Sequence, residues 1–299
     1  MGYFDCDIIS HMFWLILLFL FALGAASGSF VVASVWRIRA DQLVVEKRYR
    51  DVDYKRLVKK GRLANINAKK DRSHCLSCGY VLRWHDLIPV VSWIFLGGKC
   101  RQCRSAIGIL EIAVEIILGG VFVISYLFWP LGFDSWLVVI SFSIWIAWLL
   151  TMAILFIYDL KWMELPIFPL YVSIGLSSVF AAVRILDSGF SASIIIEHIV
   201  SLAVLAGIYW LLYTVSRGRW VGSGDAFVGA SLALILGDWR YAFMTLFLAN
   251  LLGTLVVFPS LINKKISFSS RIPMGPLLII AGILVFWFGR KILLTFVFL

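Results

Sequence analysis

The sequence predicts an all-α, polytopic membrane protein with about eight transmembrane helices and a cytoplasmic, four-cysteine zinc-binding loop domain. Of its 299 residues, 62% are hydrophobic and 15% are charged, and the mean hydropathy is +0.95. Soluble domains carry about 25% charged residues, so the chain is too apolar for that class. Apolar stretches of about 20 residues, the length that spans a bilayer as a helix, recur along it.

Eight apolar segments are expected to be membrane helices, and the sixth is short. In chain order they cover 12–36, 109–129, 135–158, 165–186, 193–215, 225–237, 240–262 and 275–298. We therefore expect three parts, which are a first transmembrane helix at 1–36, the loop domain at 37–108 and a seven-helix membrane domain at 109–299.

The basic residues predict the orientation of the chain. The hydrophilic stretch 37–108 holds 17 of the 27 Lys and Arg residues. Because membrane proteins keep Lys-rich and Arg-rich loops in the cytoplasm, we expect this stretch in the cytoplasm and the N-terminus outside. Alternating eight helices from that start puts 23 of the 27 basic residues on the cytoplasmic side, which supports the helix count.

The net charge of +10 does not require a nucleic-acid partner. A basic cytoplasmic face suits the anionic headgroups of the lipid bilayer, and we expect no nucleic-acid binding. Residues 41–72 mix charges of both signs with scattered Leu, Val and Tyr, which predicts a short amphipathic or partly mobile segment.

Two C-x2-C pairs in the loop domain predict a metal site. Cys75 and Cys78 are followed, after 21 residues, by Cys100 and Cys103. Each pair aims two thiolates at one point, and two pairs complete the tetrahedral set of a structural zinc site. Disulfides are one alternative, although they seldom persist in the cytoplasm; a vacant site or another soft metal is the other. Metal binding would supply folding free energy that this loop, with little apolar mass, lacks.

Two aspartates lie where a long apolar segment meets a short polar loop. Asp159 follows Tyr158 at the end of the third predicted helix, and Asp225 begins the sixth after Gly222-Ser223-Gly224. A carboxylate costs roughly 2.5–3.5 kcal/mol at the centre of a membrane helix and less toward its ends, so such an acid marks a candidate functional site. Asp159 could instead be an interfacial acid paired with Lys161. The predicted position of both acids on the cytoplasmic face favours a catalytic pair.

The chemistry expected of such a pair is peptide hydrolysis. If the two carboxylates lie close together, like-charge repulsion keeps one protonated while the other is ionised, and this arrangement activates a water molecule. Gly222 and Gly224 would let the backbone turn tightly and approach a substrate. Glu111 and Glu115, four residues apart, share a helix face and are expected to play a structural part, for example against the zinc loop.

The ordered set of motifs resembles the type IV prepilin peptidases, also called prepilin leader peptidases. Its main members are Tyr158-Asp159 followed by Leu165-Pro166, Gly222-x-Gly224-Asp225 and the paired C-x2-C motifs. The resemblance covers nearly the whole chain. The supporting matches are Gly28-Ser29-Phe30, Arg37, Ile88-Pro89-x-x-Ser92-Trp93, Glu115 and Ile272-Pro273-x-Gly275-Pro276.

The resemblance implies a multi-pass aspartic endopeptidase of the bacterial inner membrane, which removes the leader of prepilin or pseudopilin precursors at the cytoplasmic face. Asp159 and Asp225 match its catalytic pair. Many members also methylate the new N-terminus with S-adenosylmethionine as the cofactor. The residues expected to support the substrate cleft are Tyr158, Lys161, Gly222, Gly224, Pro273 and Gly275.

Two rival classes remain open. A presenilin-like intramembrane protease shares Tyr-Asp and Gly-x-Gly-Asp, but it predicts a Pro-Ala-Leu motif before a late helix and no zinc module, and this sequence fits neither expectation. A non-enzymatic scaffold or transporter would use zinc to organise a docking site and the acids as ion or proton ligands. Activity that survives the loss of both acids would favour that class.

Overall fold

The structure is a computed structural model. The residues that it describes are 3–46, 53, 73, 75, 77–262 and 273–297, with side chains described from 11 to 258 and from 273 to 295 of these. Those residues are almost entirely helical and include no β-strand. They fall into two compact units, an N-terminal unit that ends at Leu127 and a C-terminal unit that begins at Phe128.

The N-terminal unit is built on two long helices that pack together. Their contact is close, because a Cβ atom on Gly28 would lie only 2.7 Å from the Cα of Glu115. The elements of the unit are α1 at Tyr3–Val45, a 3-10 helix at Trp84–Leu87, α2 at Val91–Phe95 and α3 at Ile109–Leu127.

The C-terminal unit is a helical bundle arranged around one short helix. Its elements are α4 at Trp136–Trp162, α5 at Ile167–Asp187, α6 at Ala192–Leu202, a π turn at Ala203–Gly207, α7 at Ile208–Ser216, α8 at Ser223–Leu236, α9 at Trp239–Ile262 and α10 at Met274–Val297.

Seven of the described helical segments are long and apolar enough to cross a membrane, and α8 is a shorter apolar helix. This confirms the predicted fold class, including the short sixth segment.

Helix α1 runs on to Val45, beyond the expected end at residue 36, because Arg, Ala, Gln and Leu after that point are good helix formers. The fifth predicted span is interrupted by the π turn. Most of the segment 41–72, predicted to be amphipathic or partly mobile, lies outside the described residues.

Helix α8 lies at the centre of the C-terminal unit. It packs against α5, α6, α7, α9 and α10, and nine of its fourteen residues are buried. A helix that is apolar all round is stable when protein surrounds it. This placement explains how α8, about 21 Å long at 1.5 Å per residue, is accommodated although it is too short to cross the hydrocarbon core.

A buried hydrogen-bond network fixes α8 against its neighbours. The indole N–H of Trp148 on α4 donates to Ser231 Oγ on α8 at 2.8 Å. Ser231 Oγ in turn donates to the Ser173 carbonyl on α5 at 3.1 Å. All three residues are buried, so these bonds satisfy polar groups that would otherwise each cost about 1–3 kcal/mol. The network holds together the helices that carry both predicted catalytic aspartates.

Candidate active site and metal centre

Asp159 and Asp225 line one cavity of about 950 Å³ in the C-terminal unit. Both residues are buried, with 6% and 8% of their surface exposed, and their carboxylates interact electrostatically. Asp159 lies in the last turn of α4, whereas Asp225 lies in the first turn of α8. The structure thus brings together two acids from opposite ends of two different helices.

The end of α4 fixes the position of Asp159. The helix stops where Met163 adopts a left-handed conformation, with φ 53°, and the Met163 N–H donates to the Asp159 carbonyl at 2.8 Å. The next helix starts a few residues later, because Pro166 occupies the N-cap position of α5 and a helix start accommodates proline. The short connection places Leu165 in the cavity wall.

Each carboxylate accepts a hydrogen bond from a glycine backbone. The Gly222 N–H donates to Asp225 Oδ2 at 3.2 Å, and the Gly275 N–H donates to the Asp159 carboxylate. Gly275 has no room for a side chain, because a Cβ atom there would lie 2.7 Å from Asp159 Oδ2. The absence of a side chain at 275 therefore allows the backbone of α10 to reach the acid.

Gly224 has a different part from the one expected. The sequence predicted that Gly222 and Gly224 form a tight turn, but Gly222 has φ −74° and Gly224 lies within α8 without a positive φ. A Cβ atom on Gly224 would instead lie 2.6 Å from Leu165 Cδ1. Gly224 therefore lets α8 pack against the connection that follows Asp159.

The other predicted cleft residues divide into two groups. Pro273, like Gly222 and Gly224, lines the cavity. Tyr158 is fully buried and packs its ring 4.6 Å from that of Trp162. Lys161 is exposed, with its Nζ atom 5.5 Å from the Trp162 ring centroid, and is not among the residues of the cavity wall.

Several residues of the cavity escaped the sequence reasoning. Ile167, Tyr171 and Trp220 line it and are 64–69% exposed, so they form an open apolar wall beside the acids. Phe227, two residues after Asp225, also lines it. The only sequence signal was their position beside the two aspartate motifs.

Tyr209 on α7 is a further residue that sequence patterns did not reveal. Its side chain is buried, and its hydroxyl has no hydrogen-bond partner in the described part of the chain. The hydroxyl interacts electrostatically with Asp225. The π turn precedes α7 and contains Leu205. Gly229 of α8 approaches the Leu205 carbonyl closely, because a Cβ atom at 229 would lie 3.2 Å from that oxygen. A buried, unpaired hydroxyl thus lies near one acid of the pair.

The four cysteines of the N-terminal unit cluster as a candidate metal centre. Their sulfur atoms all lie within 4.8 Å of one another, with Cys75 to Cys103 at 3.9 Å and Cys78 to Cys100 at 4.0 Å. A tetrahedral ion with metal–sulfur bonds of about 2.3 Å separates its ligands by about 3.8 Å. The cluster therefore fits a single tetrahedral metal ion.

The two cysteine turns share one backbone pattern. The Gly79 N–H donates to the Cys75 carbonyl at 2.9 Å, and the Arg104 N–H donates to the Cys100 carbonyl at 3.0 Å. Gly79 and Arg104 both have positive φ, at 76° and 56°. Hydrogen bonds from the Ser105 hydroxyl and backbone lower the pKa of Cys103 to about 6, which favours the thiolate that metals bind.

Two carboxylates hold the segment between the cysteine pairs. Asp86 accepts hydrogen bonds from Arg101 Nε at 2.8 Å and from the Arg83 N–H at 3.1 Å. Although burial opposes ionisation, these bonds hold the pKa of Asp86 below its usual range. Glu115 accepts the N–H of Val90 at 2.7 Å. The expected contact between α3 and the cysteine loop is therefore present.

The Val90 backbone is strained. Its φ of 61° lies in the left-handed region, which β-branched residues rarely adopt. Glu115 also accepts a hydrogen bond from the Ser29 side chain of α1, so its carboxylate joins α1, α3 and the strained turn. The motifs that contain Ser29, Val90 and Glu115 all support the family resemblance, and they meet at the Glu115 carboxylate. Their shared role is to join these three parts of the N-terminal unit.

The fold and the acid pair define a polytopic membrane protein with a candidate aspartyl site and a separate four-cysteine module. Two family models match the chain, the Bacterial Peptidase A24 N-terminal domain over residues 22–129 and the Type IV leader peptidase family over residues 144–258.

Curated relatives agree with these matches. The chain is 30% identical to the prepilin leader peptidase/N-methyltransferase of Dichelobacter nodosus, over 74% of this chain and 72% of the relative. It is 28% identical to the enzyme of the same name from Pseudomonas aeruginosa, over 78% of this chain and 77% of the relative. It is also 25% identical to the type 4 prepilin-like proteins leader peptide-processing enzyme of Escherichia coli, over 87% and 89%. The chain belongs to the prepilin leader peptidase family. No solved structure matches it.

The geometry of the cysteine cluster predicts one metal ion per chain. Cys78→Ser or Cys100→Ser should remove it, because three thiolates bind the ion less tightly than four. Cys6→Ser, which changes the cysteine outside the two C-x2-C pairs, is the matched control and should keep the metal. Elemental analysis of the purified proteins measures the content; equal metal in all four proteins would contradict the assignment.

Proposed function

We propose that this protein is a membrane aspartic endopeptidase that removes the leader from type IV prepilin or pseudopilin precursors. The observation that carries the proposal is the meeting of Asp159 and Asp225, from two different helices, in one cavity with an apolar wall. The relatives named as prepilin leader peptidases support the substrate class.

The helix ends favour different charge states for the two acids. Asp225 lies in the first turn of α8, where the helix dipole and the Gly222 N–H stabilise negative charge. Asp159 lies in the last turn of α4, where the dipole disfavours it. Together with their mutual repulsion, this arrangement favours an ionised Asp225 and a protonated Asp159.

In the proposed mechanism, Asp225 acts as the general base and Asp159 as the general acid. Asp225 takes a proton from a bound water, and the oxygen of that water attacks the scissile carbonyl carbon. Asp159 meanwhile donates a hydrogen bond to the carbonyl oxygen. The tetrahedral intermediate collapses as Asp225 passes the proton that it took from water to the leaving amine and the C–N bond breaks, which restores the ionised Asp225 and the protonated Asp159. Water supplies the new hydroxyl group, so no covalent enzyme intermediate forms.

The cavity wall fits a membrane-anchored substrate. Ile167, Tyr171 and Trp220 present exposed apolar surface next to the acids, against which the apolar stretch of a precursor would lie. The distribution of basic residues supports a cytoplasmic position for this end of the bundle, in the bacterial inner membrane. The basic leader would then remain in the cytoplasm.

We assign zinc as the metal of the four-cysteine cluster, with a structural role. Cys75, Cys78, Cys100 and Cys103 supply four thiolates at tetrahedral spacing, which leaves no ligand position for a reacting water. The ion would supply folding free energy to the loop that carries the four cysteines, whose sequence has little apolar mass.

Methylation of the new N-terminus is the proposed second activity, since the relatives are named N-methyltransferases as well. S-adenosylmethionine would supply an electrophilic methyl group for it. Mass spectrometry of the product N-terminus, with and without S-adenosylmethionine, distinguishes cleavage alone from cleavage followed by methylation.

Removing either acid should abolish cleavage. Asp159→Asn and Asp225→Asn keep the side-chain shape but eliminate the shared proton, so we expect the rate to fall by at least about a thousandfold, which lies within the range of about 10²–10⁴ for acid–base catalysis. The rate is measured as cleavage of a prepilin-like substrate by the purified protein in detergent. Asp134→Asn, which changes an exposed aspartate, is the matched control. Retained cleavage in either variant would contradict the pair, and function in the double variant would favour a scaffold or transporter.

The close glycine contacts should matter for catalysis. In Gly275→Ala the new methyl group pushes against the Asp159 carboxylate, and in Gly224→Ala it pushes against Leu165. We expect cleavage to fall by up to about a hundredfold, as for other small displacements of catalytic groups. Gly175→Ala on α5 is the control, because its Cβ atom would meet no atom of the described residues within 4 Å. Equal rates in the three variants would show that these contacts do not position the acids.

The hydroxyl of Tyr209 should support the ionised Asp225. Tyr209→Phe removes this dipole, and we expect kcat to fall about fivefold to tenfold, which corresponds to a loss of about 1–1.4 kcal/mol of electrostatic stabilisation, with little change in KM. Thr245→Val removes another buried hydroxyl, which has no hydrogen-bond partner among the described residues and lies outside the cavity wall, and it should leave kcat unchanged. A wild-type kcat for Tyr209→Phe would exclude this role.

A further inference from the structure

Helix α9 is the least buried of the membrane-length helices that the structure describes. Only 17% of its apolar stretch is buried within the protein, against 22–44% for the other six. It packs on α6, α8, α10 and the π turn, and none of its described residues lines the cavity of the two acids. The proposed peptide hydrolysis therefore leaves the exposed side of α9 unused.

The exposed side chains of α9 form one continuous face. Along the helix, successive residues of this face are four, three, four and four positions apart, and they are Phe243, Phe247, Asn250, Thr254 and Phe258. Residues three and four apart lie on the same side of a helix. Their spacing is close to the heptad pattern of the seam between two packed helices, so this outer face of α9 can receive a second helix along its length.

Asn250 is the residue of this face that contact with lipid does not explain. It lies halfway along α9 and is the only Asn or Gln in helices α4 to α10. Its side-chain amide donates one N–H to the Leu246 carbonyl of its own helix at 2.7 Å. That is the only side-chain hydrogen bond of Asn250 within the described ranges, so its second N–H and its carbonyl oxygen await partners. In hydrocarbon, such unpaired polar groups are costly.

A second copy of this chain is the partner whose chemistry fits Asn250. Two copies in one membrane have the same orientation, so a two-fold axis along the membrane normal pairs α9 with α9 in parallel. The same residue of each copy then lies at the same depth. A carboxamide both donates and accepts hydrogen bonds, so the two Asn250 side chains can satisfy each other, and such bonds associate membrane helices.

We propose that the protein forms a dimer in which the outer faces of two α9 helices pack and the Asn250 amides exchange hydrogen bonds. Each copy keeps its own cavity with Asp159 and Asp225, since α9 takes no part in the described cavity wall. The dimer is thus independent of the proposed peptidase activity.

Energy transfer between donor-labelled and acceptor-labelled full-length protein in lipid vesicles, over a range of protein-to-lipid ratios, measures the association. Wild type should associate above the level of random encounters. Asn250→Leu should lower the association constant about fivefold to thirtyfold, the strength of such bonds between model membrane helices, whereas Asn250→Gln keeps the carboxamide and should retain most of it. Ser143→Leu is the matched control, because this exposed hydroxyl on α4 already donates to the Val139 carbonyl. Unchanged helix content by circular dichroism verifies the fold of each variant.

Oxidative cross-linking tests the geometry of the dimer, in a Cys6→Ser background that keeps the four clustered cysteines. Phe247→Cys should form covalent dimers, because parallel two-fold pairing brings the two copies of this residue together, and exposed Val179→Cys on α5 should not. Random-encounter energy transfer in the wild type, or wild-type association in Asn250→Leu, would overturn the dimer. Phe247→Cys that cross-links only to a cysteine in the apolar segment of an added precursor would also overturn it and assign the face to the substrate.

Discussion

The placement of two acids, whose ionised forms would repel each other, inside an apolar helical bundle is the constraint on which the rest of the structure depends. Each acid lies at a helix end, where backbone groups are available, and each accepts the N–H of a glycine, Gly222 for Asp225 and Gly275 for Asp159. Bonds from neutral donors stabilise a buried carboxylate without neutralising it. The pair can therefore share one proton instead of forming salt bridges that would prevent acid–base chemistry.

The short helix α8 brings the acids together. At about 21 Å it is shorter than the hydrocarbon core of about 30 Å, and the surrounding helices bury most of it. Its first turn, with Asp225, therefore lies inside the bundle beside the last turn of α4. The buried contact of Trp148, Ser231 and Ser173 fixes the helices in this register. Stability of the bundle core and geometry of the acid pair thus depend on the same helix.

Local sequence patterns were sufficient to predict the spans, the cysteine cluster and the meeting of Asp159 with Asp225, because apolar length, C-x2-C spacing and intramembrane acids each have one dominant physical reading. Contacts between distant residues were beyond such patterns. Gly275 reaches Asp159 from another helix, and Gly224 packs against Leu165 where a tight turn was expected. The position of Tyr209 near Asp225 depends on how α7 continues after the π turn. The left-handed Val90 held by Glu115 likewise needs the folded chain.

The pH dependence of kcat/KM for leader cleavage by the purified protein tests the acid pair most directly. A pair that works with one carboxylate ionised and the other protonated loses activity when both are protonated and when both are ionised. The account predicts a bell-shaped profile whose two limbs belong to the pair. A rate that stays constant from acidic to alkaline pH would contradict catalysis by Asp159 and Asp225.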